Sequence, residues 1–139
     1  MLKLLIELQI RLQHCILIIR IMTTESDVKM FLSEFKAKLD VFSVIFRDDR
    51  TVKKNTVALL ALDLLPAERK EFLRKLAVED YSQGPTDDAL YKLSPMWVFG
   101  KVIKGKEVYI KITIGSENLP VICISFHQAE SAMTYPFKK

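Results

Sequence analysis

The chain has 139 residues, 50% of them hydrophobic and 27% charged, with 21 lysines and arginines against 17 acids for a formal net charge of +4. That length holds one domain with a single modest core, and the composition excludes an intrinsically disordered chain. Cys15 and Cys123 have no metal-ligand spacing, and neither a CxxC nor an HExxH pattern accompanies His14 and His127. This argues against a metal centre and for a reducing cytoplasm.

Residues 1–21 are apolar but interrupted by Glu7, Arg11, His14 and Arg20. No run of about 20 apolar residues remains for a transmembrane helix, and no small-residue cleavage site marks a secretory signal. We read this stretch as an upstream leader from an early start codon, with Met22 opening a single domain over residues 22–139.

Helix signals begin at Thr24. Thr24 or Ser26 suits an N-cap, Glu25 and Asp27 suit the positive end of the helix dipole, and Val28, Phe31, Leu32, Phe35 and Leu39 recur on one face. Val41–Phe46 reads as a strand or as apolar helix continuing. A charged turn over Arg47–Arg50 precedes a helix over Thr56–Leu64. Pro66 is placed as the first residue of a third helix, ending near Ala77. Glu79–Asp88, with Ser82, Gly84 and Pro85, reads as an acidic loop leading into a sheet. No internal repeat is visible.

Residues 96–127 contain three runs rich in Val, Ile, Trp, Phe and Tyr, a three-stranded antiparallel meander. In the middle run Val108, Ile110, Ile112 and Ile114 alternate with Tyr109, Lys111 and Thr113, so one face is core and the other wet. The last run is expected to place Ile122, Ile124 and Phe126 on one side and Cys123, Ser125 and His127 on the other. The expected fold is α+β, two or three helices on one face of a small antiparallel sheet. Charge follows this division. Residues 22–88 carry 11 basic and 13 acidic side chains, whereas from Ala89 onward there are 7 basic against 3 acidic, a distribution that favours a polyanion-facing sheet. The tail ends in Tyr135, Pro136 and Phe137, apolar enough to dock on its own body or on a partner.

Tyr81 with Ser82, Trp97, the run Val108–Thr113 and the closing Ser125–Phe126 together resemble the MqsR family of bacterial type II toxins, within the RelE-like group of mRNA interferases. The resemblance is strongest in the C-terminal half. It implies a RelE-like fold and a cytoplasmic endoribonuclease that cleaves single-stranded mRNA, free or on the ribosome, without a metal or other cofactor. It also implies neutralisation by a cognate antitoxin protein and no membrane partner. Carried over residue by residue, the catalytic tyrosine falls on Tyr109 and the adjoining lysine on Lys111. The family's lysine after Ser-Phe is replaced here by His127, which leaves the proton-transfer scheme open. Lys75 or Arg74 stands for a lysine before the loop. The glutamine near the tryptophan has no counterpart, and Lys101 is the nearest polar residue. Ser125 joins Lys101 and Lys75 as a candidate RNA contact.

Such residues suit the reaction. RNA is cut when its 2′-OH attacks the neighbouring phosphorus, which calls for a base, an acid and a cation. Histidine serves either proton step, each worth about two to four orders of magnitude, and lysine stabilises the developing charge. Plainer roles stand beside these. His127 can cap a strand, Tyr109 can support a cross-strand neighbour, and Lys104 and Lys106 read as ordinary charges at a hairpin tip. Lys101 joins the Tyr109 face only if the hairpin loop holds an odd number of residues. Trp97 and Phe99 read as core aromatics. The rival functions are a non-catalytic interaction module on the same basic sheet and a decayed toxin that keeps only its fold and antitoxin contact.

Overall fold

The computed structural model describes residues 2–9, 11, 22–49, 53–87 and 94–139. Residues 2–9 form helix α1, with every side chain exposed. Helix α2 spans Glu25–Phe42 and opens on a reciprocal cap: Thr24 Oγ1 accepts from the Asp27 amide at 3.2 Å, and Asp27 Oδ2 accepts from the Thr24 amide at 2.8 Å. The five apolar residues predicted for its inner face are all buried. Ser43, at φ 68°, stops the helix and donates its amide to the Leu39 carbonyl. The run Val41–Phe46 is thereby split, its first two residues closing α2 and Val44–Phe46 forming strand β1.

Helix α3 covers Lys54–Ala61, starting and ending earlier than its apolar pattern implied. Helix α4 covers Glu68–Arg74. Pro66 lies outside α4, where its carbonyl accepts from Arg69 Nε at 3.1 Å, and the helix stops at Arg74 instead of near Ala77. The segment expected to be an acidic loop contains a short 3-10 turn, Val78–Asp80, followed by edge strand β2, Tyr81–Thr86. Strands β3 (Met96–Ile103), β4 (Lys106–Thr113) and β5 (Val121–Gln128) complete a five-stranded sheet in the order β1-β5-β4-β3-β2.

The predicted meander is present, but the sheet is mixed where an antiparallel one was expected. β1 runs parallel to β5, pairing Val44 with Val121 and Phe46 with Cys123. A parallel neighbour needs a long crossover, and the intervening helices and strands supply it.

One sheet face is covered by α2, α3 and α4. Phe31 stacks on Trp97 with ring centroids 4.4 Å apart, and Phe35, Leu39, Leu73, Leu76, Phe99, Val108, Ile110, Ile112, Val121, Cys123 and Phe126 fill the layer between. Trp97 and Phe99 are core, as read. Arg69, 2% exposed, holds Asp48 through two bonds of 2.9 and 2.8 Å while its guanidinium lies 3.8 Å over the Phe46 ring, which fixes the exit of β1 against α4. Among the described residues no helix is long and apolar enough to cross a membrane.

Candidate active site

The geometry of the open face is set by two local devices. The first is the β3–β4 turn, Lys104–Gly105, with φ of 50° and 80°, the two-residue turn whose twist matches paired strands. Its even count puts Gly100 opposite Tyr109 and Lys101 opposite Val108. Lys101 is therefore turned away from the Tyr109 face, and its Nζ pairs with Asp80 at 3.2 Å. The turn lysines are occupied as well: Lys104 Nζ donates to the Asp63 carbonyl and Lys106 Nζ to the Ala61 carbonyl, satisfying groups at the C-terminal end of α3.

The second device is a bulge in β5. Ile112 pairs with Cys123, but Lys111 pairs with Ser125, so Ile124 is an extra residue. The strict alternation expected for this strand does not hold. Val121, Cys123 and Phe126 all face the core, while Ser125 and His127 stand beside Lys111 and Tyr109 on the opposite face. The sequence reading that grouped Cys123 with His127 is corrected on that account. Burial raises the Cys123 thiol well above its ordinary range, so it stays a neutral core group.

Tyr109, Lys111, Ser125 and His127 line a single cavity of about 900 Å³. The Tyr109 and His127 rings are stacked, centroids 5.3 Å apart and planes 17° apart. Lys111 Nζ lies 5.9 Å from the Tyr109 ring centroid and makes no hydrogen bond or ion pair among the described residues. His127 Nδ1 lies 3.0 Å from the Gln128 carbonyl oxygen. A carbonyl only accepts, so Nδ1 carries the proton and, in the neutral ring, Nε2 holds the lone pair. Nε2 has no partner among the described residues.

The walls come from elements that the sequence reading left out. Arg47, just past β1, is held to β5 by its amide on the Cys123 carbonyl at 3.0 Å, and its Nε contacts Asp49 at 3.3 Å. Lys54, in the first turn of α3, pairs with Glu130 of the tail. That ion pair and the nearby His127 lower the Glu130 carboxyl below its ordinary range. A lysine in the first turn of a helix opposes the helix dipole, and the pairing with Glu130 offsets that placement. Ser82 and Gln83 of β2 and residues 129–134 close the remaining sides.

The tail docks on its own body. Tyr135 Oη donates to Glu107 Oε2 at 2.8 Å, Glu107 Oε1 accepts from the Met133 amide at 3.2 Å, and Phe137 stacks on Tyr81 at 5.3 Å. Gly100 makes this approach feasible, since a Cβ there would collide with Tyr135 and Met133. Lys75 lies exposed at the end of α4 and does not line the cavity, and neither does Lys101. Among the described residues, no three His, Cys, Asp or Glu side chains come together as a metal site. Comparisons with family models, curated proteins and solved structures return no match.

Proposed function

We propose that the chain is an endoribonuclease that cleaves single-stranded RNA by attack of the 2′-OH on the adjacent phosphate. The observation that carries this reading is the stacked Tyr109–His127 pair with Lys111 beside it, at the floor of an open cavity flanked by Arg47 and Lys54. His127 Nε2, without a partner among the described residues, takes the 2′-hydroxyl proton. The 2′-oxygen bonds to phosphorus as the P–O5′ bond breaks, and the Tyr109 hydroxyl supplies a proton to the departing 5′-oxygen. The products are a 2′,3′-cyclic phosphate and a 5′-hydroxyl, and protons and charge balance without a redox partner.

Lys111 and Arg47 stabilise the additional negative charge on the phosphoryl oxygens, a contribution that grows inside a cavity partly shielded from water. Ser125, 5% exposed between Lys111 and His127, offers a hydroxyl to the same phosphate. Lys101 and Lys75, which lie outside the cavity, have no part in this scheme. In keeping with the resemblance to MqsR-type mRNA interferases, we propose mRNA as substrate, on or off the ribosome, and an antitoxin protein as the neutralising partner.

The test incubates purified protein with long single-stranded RNA in EDTA, and separately with ribosome-engaged mRNA, comparing wild type with His127→Ala. Fragments with 2′,3′-cyclic phosphate ends from the wild type alone are the expected result. If a folded wild type leaves both substrates intact, the enzyme reading fails in favour of the interaction module.

A further inference from the structure

Strand β1 ends its ladder at Phe46–Cys123, with the Arg47 amide on the Cys123 carbonyl as the last backbone bond between the two among the described residues. Beyond that point no described strand pairs with the outer edge of β5, and this is where the bulge begins. A bulge with an open edge leaves backbone groups without ladder partners. The Asn55 side chain fills the gap. Its Nδ2 donates to the Ile124 carbonyl at 3.1 Å and to the Arg47 carbonyl at 3.2 Å, and its Oδ1 accepts from the Phe126 amide at 2.9 Å. Donor and acceptor on one planar amide reproduce what one more residue of β1 would have offered β5. Asn55 is 5% exposed, so these bonds form out of reach of solvent.

The three contacted groups are the neighbours of the chemistry. Ile124 and Phe126 flank Ser125, Phe126 precedes His127, and Arg47 is the cationic wall of the cavity. Without the amide, β5 has no reason to keep its extra residue between Cys123 and Ser125, and the stacking partner of Tyr109 loses its register. We infer that Asn55 is a positioning residue: its amide clamps the β5 bulge and the end of β1, holding His127 on the Tyr109 ring and Arg47 across from it. The functional side of this inference rests on the ribonuclease reading, while its geometric side does not.

Two variants of the full chain separate the outcomes. Asn55→Asp keeps size and the acceptor for Phe126 but sets an oxygen against two carbonyls. Asn55→Ala removes all three bonds. The His127 Cε1 proton, which feels the Tyr109 ring current, is followed by NMR, with Tyr109→Leu giving its unstacked position and circular dichroism reporting the fold. The resonance is expected to move toward the Tyr109→Leu position in both variants. Cleavage is expected to lose about 10- to 100-fold in kcat, with KM for RNA changing by less than about threefold.

Folded variants with an unmoved resonance overturn the inference. So does failure of both variants to fold, which makes Asn55 a folding residue only. If wild-type protein cleaves neither substrate, the ribonuclease reading falls while the resonance alone decides whether Asn55 positions His127.

Discussion

Tyr109 and His127 face each other across β4 and β5 with their rings 5.3 Å apart and 17° from parallel. Directly opposed residues share a sheet face, so this contact follows from strand register and needs no loop to form it. Register depends in turn on the bulge at Ile124. A pair held by backbone geometry is already oriented before substrate arrives, and orientation is a large part of what a catalytic pair contributes.

Replacing His127 by alanine removes the proposed proton acceptor and nothing from the core. Cleavage should fall by about 10²- to 10⁴-fold, with the thermal midpoint lower by no more than about 5 °C, because the part-buried ring gives up its stack on Tyr109 but no core contact. Tyr109→Phe keeps the stack and loses the hydroxyl. It should therefore retain the ring-current shift of His127 while losing activity, and an active Tyr109→Phe enzyme would remove Tyr109 from the proton scheme.

Lys111 lies 5.9 Å from the Tyr109 ring and carries no internal partner among the described residues, so its charge is available to a phosphate. Lys111→Met should cost about 10²- to 10³-fold in kcat. It should also flatten the salt dependence of RNA affinity by about one phosphate contact, read from binding across a salt series. Lys101→Met is the contrast. That lysine spends its charge on Asp80 on the other face, so its loss should leave both quantities near wild type.

The positions of these residues were unevenly visible in the chain. Helix α2 was legible because its cap and its five inward residues form one unbroken local pattern, and β4 because burial alternates from Val108 to Ile112; only Thr113, expected on the wet face, is fully buried, its hydroxyl donating to the Ser94 and Pro95 carbonyls. β5 was misread since a bulge adds a residue without leaving a compositional mark. Val121 and Cys123 sit on the core side, then one extra residue restores Phe126 to it. Lys101 turned on the parity of a two-residue turn. Arg47, Lys54 and Asn55 were out of reach for a different reason: they meet His127 only through the parallel β1–β5 pairing and the first turn of α3, contacts about 70 residues apart in sequence. Long-range pairing of this kind has no local periodicity to announce it.

Asp48 and Arg69 make the most buried ion pair among the described residues, with side-chain exposures of 34% and 2%. The two partners should not respond alike. Asp48→Ala strands a guanidinium inside the fold and should cost about 3 kcal/mol, a fall of roughly 10 °C in thermal midpoint for a chain of this size. Arg69→Met leaves a carboxylate that turns toward water and keeps apolar contact with Phe46, so it should cost less than half as much. Equal losses in a denaturant titration would show that the pair, and not the stranded charge, sets the energy.

Tyr135 couples pH to the wall of the cavity. Burial first, and then its bond to the Glu107 carboxylate, push its phenol from an ordinary value near 10 up to about 12. The folded state thus favours the protonated hydroxyl, and the sign follows from linkage. The contribution is complete below pH 10, declines as pH rises, and is gone above pH 12, where a phenolate would face the Glu107 carboxylate. Tail docking should weaken through that window, seen as faster proteolysis within residues 129–139 while the core resists. In Tyr135→Phe the pH-dependent step should vanish, with docking weaker at neutral pH because the bond to Glu107 is lost. In Glu107→Gln the charge is removed but an acceptor remains, so the Tyr135 phenol, isolated by near-ultraviolet difference against the same variant carrying Tyr135→Phe, should move back toward 10. A Glu107→Gln protein in which Tyr135 still titrates near 12 would assign the shift to burial alone and release Glu107 from the latch.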